Sequence, residues 1–227
     1  MMTAHATPYD LKQRIHDNEM ISVAFGSSGM PLETVRKFRD AGHDMVFVDC
    51  QHQPIDEKEL AQSCRLAADH DLPVALRIRH PDEAYLAGRY LDFGPLAIIV
   101  PMVEREETVE RAIESFYYPP IGRRSWGPDR AYGWDAQGPH GAYADWWNAH
   151  GILMMQFESL AAVRAARWLA KAGVDMIVFG EQDLMLDIGA ATDPPWRDFA
   201  ACRAQVVEAT AGLPVKIAAS PSPIGHL

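Results

Sequence analysis

Seven short apolar runs recur along the chain, and their regularity is what most limits the choice of fold. They fall at 21–27 (ISVAFGS), 45–50 (MVFVDC), 73–79 (PVALRIR), 96–103 (LAIIVPMV), 152–158 (ILMMQFE), 175–181 (DMIVFGE) and 214–220 (PVKIAAS). Each has the length of a strand, and most are apolar throughout, as parallel strands covered on both faces must be. The stretches between them, such as PLETVRKFRDAGH, DEKELAQSCRLAADHD and DEAYLAGRYLDFG, are amphipathic. Acidic residues sit in their first turns and Gly- or Asp-containing breaks follow, which are helix start and stop signals. The alternation predicts an α/β chain, either a (β/α) barrel or a doubly wound sheet.

Polar residues at the ends of the runs separate these two architectures. His52 follows the second run, Arg77 lies in the third, Glu158 ends the fifth and Asp183 follows the sixth. Barrel active sites draw on the C-terminal ends of several strands in this way. A doubly wound sheet would carry a GxGxxG fingerprint after its first strand, and FGSSGMP lacks that spacing. A barrel is therefore expected. With 227 residues and 48% hydrophobic content, one domain over 1–227 is the default. The connection 117–150 is too long for an ordinary barrel loop, and loops of this kind tend to be functional. Its Trp126, Trp134, Trp146 and Trp147 either line an acceptor pocket or pack the connection, and packing is the simpler expectation.

Charge and cysteine usage exclude several classes of function. Lys plus Arg less Asp plus Glu is 21 − 31 = −10, which disfavours nucleic acid and anionic membrane as partners but leaves room for a local positive pocket. Cys50, Cys64 and Cys202 are odd in number and lack CxxC spacing, so neither a disulfide framework nor a zinc site is indicated. The N-terminus has no signal-peptide pattern and no run reaches transmembrane length, so a cytoplasmic protein is expected.

Glu158 and Asp183, brought from neighbouring strand ends, would make a hard-oxygen site for Mg²⁺ or Mn²⁺ with positions left open for a chelating substrate. The plainer alternative is that Glu158 caps one helix and Asp183 starts another. Arg77 lies inside an apolar run, where an unpaired guanidinium is costly. It either pairs with Asp49 or Glu158, or holds a substrate oxygen. His52 suits a general base near neutral pH, although a lone His after a strand is more often structural.

In order along the chain, FVDCQH, LRIR, YLDFGPLAIIVPMV, YYPPIGRRSWGP, MMQFES and GVDMIVFGEQDL resemble the HpcH/HpaI aldolases, metal-dependent class II enzymes acting on pyruvate and aldehydes. The resemblance runs from about residue 11 to 220. Its most specific pieces are the YPPxGxR loop and the Glu158 and Asp183 pair. It implies a (β/α)8 TIM-type barrel, a divalent ion (Mg²⁺, Mn²⁺ or Co²⁺) on Glu158 and Asp183, and Arg77 on the keto oxygen of pyruvate. Gln156 would line the pyruvate pocket, and the amides around Gln182 and Asp183 would receive its carboxylate. His52 would be the catalytic histidine, with Asp49 nearby and Asp92 as its orienting carboxylate. The implied reaction cleaves or forms 4-hydroxy-2-oxo acids, and the implied assembly is a homo-oligomer, often a hexamer. An oxaloacetate decarboxylase or related lyase, or a non-catalytic keto-acid-binding member, is the alternative. Lys216 alone, in a strand, would serve a rival Schiff-base mechanism.

The chain also departs from the family pattern. Gln51 stands where the family carries Glu, removing a negative charge beside the metal pocket. Gln182 replaces a small residue, and Ala24 stands where many relatives place Trp, which would open the site to larger aldehydes. After PVKIAASPSPIGHL no counterpart of the family's eighth strand and final helix is expected.

Overall fold

All seven apolar runs form strands in the computed structural model, which describes residues 10–127, 140–220 and 225–227. They are β1 (Ser22–Phe25), β2 (Met45–Asp49), β3 (Val74–Arg77), β4 (Ala97–Val100), β5 (Ile152–Phe157), β6 (Met176–Phe179) and β7 (Lys216–Ile217). Each pairs in parallel with the next, giving a curled half-barrel sheet. The register places Asp49, the last residue of β2, opposite Arg77, the last residue of β3.

The expectation of seven strands needs one correction. An eighth, β8 (Gly225–His226), pairs antiparallel with β1, giving the order β7-β6-β5-β4-β3-β2-β1-β8. The Leu227 N–H donates to the Ile21 carbonyl at 2.9 Å. The tail thus satisfies backbone groups that the outer edge of β1 would otherwise leave unpaired. It was not legible beforehand because two residues carry no periodicity.

The helices are α1 (Leu11–His16), α2 (Leu32–Asp40), α3 (Glu57–Ala68), α4 (Ala87–Leu91), α5 (Glu106–Phe116), α6 (His140–His150), α7 (Leu160–Leu169), α8 (Glu181–Ala190) and α9 (Phe199–Ala209). Side-chain caps fix three starts: Asp56 accepts from the Glu59 N–H at 2.9 Å, Ser159 from Ala162 at 3.2 Å and Asp198 from Ala201 at 2.8 Å. Each cap contributes about 1 kcal/mol. The third amphipathic stretch begins as a 3-10 turn (Pro81–Leu86) before α4. Among the described residues, no helix is long and apolar enough to cross a membrane.

The long connection is partly helical, since α6 occupies its second part. Trp147 is buried against Phe116, with ring centroids 5.4 Å apart, and its indole N–H donates to the Phe116 carbonyl at 2.9 Å. That is the packing role expected for it. Trp134 lies outside the described residues.

Beneath the sheet, at the N-terminal ends of its strands, buried Asp175 gathers several donors. Lys12 Nζ and His16 Nε2 of α1 lie 3.1 Å from its Oδ1, and the Leu153 N–H donates to Oδ2 at 2.9 Å. The Tyr117 hydroxyl is 3.2 Å from Oδ2. Leu11 and Ile15 bury the apolar face of α1 beside this cluster. Removing one partner of a buried pair strands the other charge, so Asp175→Ala is expected to cost about 3 kcal/mol in denaturant unfolding. A loss under about 1 kcal/mol would mean that water takes over these contacts.

Candidate active site

The C-terminal ends of β2, β3, β5 and β6 bring together residues far apart in sequence. Asp49 and Arg77, adjacent through the strand register, form a two-pronged pair: Nε donates to Oδ1 at 2.9 Å and Nη2 to Oδ2 at 2.6 Å. Two planar groups matched in this way hold the guanidinium in one orientation. The third nitrogen, Nη1, points across the cleft toward β5. It donates to Gln156 Oε1 at 3.3 Å and lies 4.0 Å from Glu158 Oε1. The Phe47 ring lies beside the guanidinium, 5.5 Å from Cζ.

Burial by itself would raise the Asp49 carboxyl. The hydrogen bonds and charge of Arg77, with the Gln51 and His52 N–H groups, outweigh it and hold Asp49 below the usual carboxylate range. Asp49→Asn removes the counter-charge of Arg77 and is expected to cost about 3 kcal/mol at pH ~7. A depressed carboxyl contributes fully above its unfolded value of ~3.9, and that contribution fades as pH falls through the folded value. Denaturant unfolding of parent and variant should therefore show a gap at about pH 7 that narrows toward about pH 3. A gap independent of pH would remove Arg77 as the cause.

Glu158, directly after β5, is also buried. Its Oε2 accepts from the Met102 N–H at 2.9 Å, whereas its Oε1 has no hydrogen-bond partner among the described residues. Burial above all pushes the Glu158 carboxyl up to about 7. Arg77 pulls against this, and the charge of Asp183 adds to it. Gly180, between β6 and α8, is what gives Glu158 its space. A Cβ there would overlap Glu158 Oε1 and lie 2.7 Å from its Cγ and 2.8 Å from Gln156 Nε2. Asp183 is exposed in the first turn of α8, where helix N–H groups lack intrahelical acceptors.

The donor set suits a hard divalent cation. A buried carboxylate oxygen without a hydrogen-bond partner among the described residues, in the field of a second carboxylate, is the kind of donor that such an ion takes. Among the described residues no three His, Cys, Asp or Glu side chains converge on one point.

Other expected site residues are placed less directly. His52 is exposed just beyond β2, and its side chain has no hydrogen bond to Asp92. Within this chain Asp92 takes another partner. It ends α4, which leads back toward the N-terminal end of β4, and pairs there with Arg124 Nη2 at 3.0 Å. Gln182 is exposed beside Asp183, and Gln51 is half-buried with its Oε1 lacking a partner among the described residues.

Ala24 also differs from expectation. It pairs with Val46 on the outer, helix-covered face, whereas Phe25 pairs with Phe47 on the face of Asp49 and Arg77. Phe25, 41% exposed, is therefore the β1 side chain that bounds the cleft. Strand alternation could have revealed this once the inward parity of Asp49 was known. The Met102 N–H, held at φ 50° after β4, carried no signal in the sequence because a backbone donor has no residue type.

Residues 24–219 match the family model described as HpcH/HpaI aldolase/citrate lyase. The chain is 30% identical over 206 residues to a hydroxypyruvate/pyruvate aldolase of Paraburkholderia phytofirmans, covering 88% of this chain and 78% of that protein. It is 29% identical over 156 residues to a 4-hydroxy-2-oxovalerate aldolase of Rhodococcus jostii, covering 68% of this chain but only 59% of that protein. The crystal structure of an HpcH/HpaI aldolase from Desulfitobacterium hafniense superposes with a TM-score of 0.76 at 26% identity, over 91% of this chain and 80% of that one.

Proposed function

Because the chain belongs to the HpcH/HpaI aldolase/citrate lyase family, we propose that it is a carbon–carbon lyase that cleaves 4-hydroxy-2-oxo acids to pyruvate and an aldehyde, and forms them in reverse. Its seven parallel strands are then the body of a (β/α)8 barrel whose C-terminal rim carries the chemistry. The observation behind this reading is the buried Oε1 of Glu158, which has no hydrogen-bond partner among the described residues, feels the charge of Asp183 and lies 4.0 Å from a guanidinium nitrogen.

Glu158 and Asp183 would hold a divalent ion, Mg²⁺, Mn²⁺ or Co²⁺. When bound, it would supply Lewis acidity toward the oxygens of the pyruvate unit. Arg77 keeps two nitrogens on Asp49 and has only a long bond from Nη1, so Nη1 is available for the keto oxygen. As the C3–C4 bond breaks, its electron pair moves into the pyruvate unit as an enolate, and Arg77 meets the charge developing on that oxygen. His52 takes the proton of the 4-hydroxyl as the aldehyde carbonyl forms, and the enolate is later protonated at C3. Asp49 acts through Arg77 as a positioning residue. The free N–H groups at the start of α8, around Gln182 and Asp183, receive the substrate carboxylate.

The test measures pyruvate release from a panel of 4-hydroxy-2-oxo acids, with oxaloacetate alongside. Chelator should lower the rate by about 10²-fold or more, and added Mn²⁺ should restore it. Full activity in chelator would sink the proposal. Turnover of oxaloacetate alone would redirect it to a decarboxylase.

A further inference from the structure

The rim of the cleft is divided by polarity. Arg77, Gln156, Glu158 and Asp183 make it polar along β3, β5 and β6. On the β1 side the wall is aromatic. Phe25, the last residue of β1, pairs with Phe47, and their ring centroids are 5.8 Å apart. The Phe47 ring in turn lies 5.5 Å from the guanidinium carbon of Arg77. A line of contacts therefore runs from the guanidinium to Phe25, on the sheet face that carries Asp49.

The Phe25 side chain is 41% exposed. A lone exposed aromatic on an outer surface is ordinary. On the inner face, at the C-terminal end of a barrel strand, such a ring meets whatever the cleft holds. The backbone that carries it is fixed. The Gly26 N–H donates to the Phe47 carbonyl at 2.9 Å, and a Cβ on Gly26 would overlap Met30 Sδ and Val46 Cγ1. Close packing behind residue 26 holds β1 in this register, so the ring stays on the inner face.

The substrate assigned to this cleft is divided in the same way. Its keto-acid half is anionic, whereas the other half carries the substituent of the aldehyde. The keto acid meets Arg77 and the two carboxylates, and the 4-hydroxyl meets His52 just beyond β2. The substituent on C4 then lies beside β1, the strand paired with β2.

We propose that Phe25 is a specificity-determining residue that receives this substituent and selects aldehydes with aromatic or alkyl groups over small hydroxyaldehydes. This rests on the lyase function proposed above and names its acceptor class. An apolar substituent and the ring remove each other from water, whereas a hydroxylated one would lose hydrogen bonds to water that the ring cannot replace.

The test compares kcat/KM for cleavage of two substrates, the adducts of pyruvate with benzaldehyde and with glycolaldehyde, in the presence of Mn²⁺. Both are measured on one preparation, so their ratio is independent of the folded fraction. Phe25→Ala should lower the ratio of benzaldehyde adduct to glycolaldehyde adduct by about tenfold or more. Phe25→Leu, which keeps a large apolar side chain, should stay closer to the parental ratio. A smaller fall in Phe25→Ala, or a Phe25→Leu ratio as low as that of Phe25→Ala, would overturn the proposal. Exchange of pyruvate methyl protons with deuterated water, catalysed by the parent, is followed alongside. Exchange by the parent with an unmoved ratio would remove Phe25 and leave the lyase function standing. Neither exchange nor cleavage of either adduct would overturn the lyase function, and this proposal with it.

Discussion

Glu158→Gln is expected to lose metal-dependent pyruvate release, with kcat/KM falling by about 10³-fold or more, equivalent to ~4 kcal/mol of transition-state stabilisation. The same variant should unfold in chelator at a midpoint no lower than that of the parent. A glutamine oxygen can still accept from the Met102 N–H, so the hydrogen bond from that group is retained. What disappears is a buried charge whose second oxygen has no partner among the described residues. Added Mn²⁺ should raise the thermal midpoint of the parent and not that of the variant, because only a fold that binds the ion gains stability from it. A residue serving only to cap a helix would give the opposite pattern, with activity largely kept and stability lost. Near-parental turnover by Glu158→Gln would remove it from the site.

Arg77→Lys is expected to lower kcat by about 10²- to 10³-fold, the scale seen when one preorganised donor to a developing oxyanion is lost. Lysine keeps the charge but cannot hold Asp49 with two nitrogens while sending a third toward β5, as Arg77 does. This variant is preferred to alanine. Alanine would leave buried Asp49 without its counter-charge, and a folding defect would obscure the chemistry. The two variants should also part in their response to metal: Arg77→Lys should keep the Mn²⁺-induced rise in midpoint that Glu158→Gln loses. A Lys variant with parental kcat would show that the third nitrogen has no part in the reaction.

The strands were legible because parallel strands covered on both faces must be apolar throughout, and a run such as LAIIVPMV has few other uses. The ends of those strands were legible for a related reason: Arg77 and Glu158 are too costly in such surroundings without a task or a partner. Which partner each takes was not legible. Whether Arg77 meets Asp49 or Glu158 depends on strand register and on the reach of side chains across the sheet, neither of which is encoded locally. The same gap holds for Asp92, whose pairing with Arg124 from the end of α4 had no local signal. Ala24 and Phe25 show that one step along a strand exchanges the two faces of a sheet, and the motif alone did not say which face Ala24 takes.

The pairing of Asp49 with Arg77 also bears on how the barrel avoids errors while it forms. A run of Val, Phe, Leu and Ile can slide against another such run with little penalty, since nearly every offset buries apolar surface. Asp49 and Arg77 end their strands at matched positions. A slip of one residue between β2 and β3 would separate them and turn one charge toward the apolar layer under the helices. Either outcome disfavours the slipped state far more than a mismatch of aliphatic side chains would. The salt bridge that fixes the Arg77 guanidinium thus also marks the correct register of β2 against β3, because misaligned pairings forfeit it.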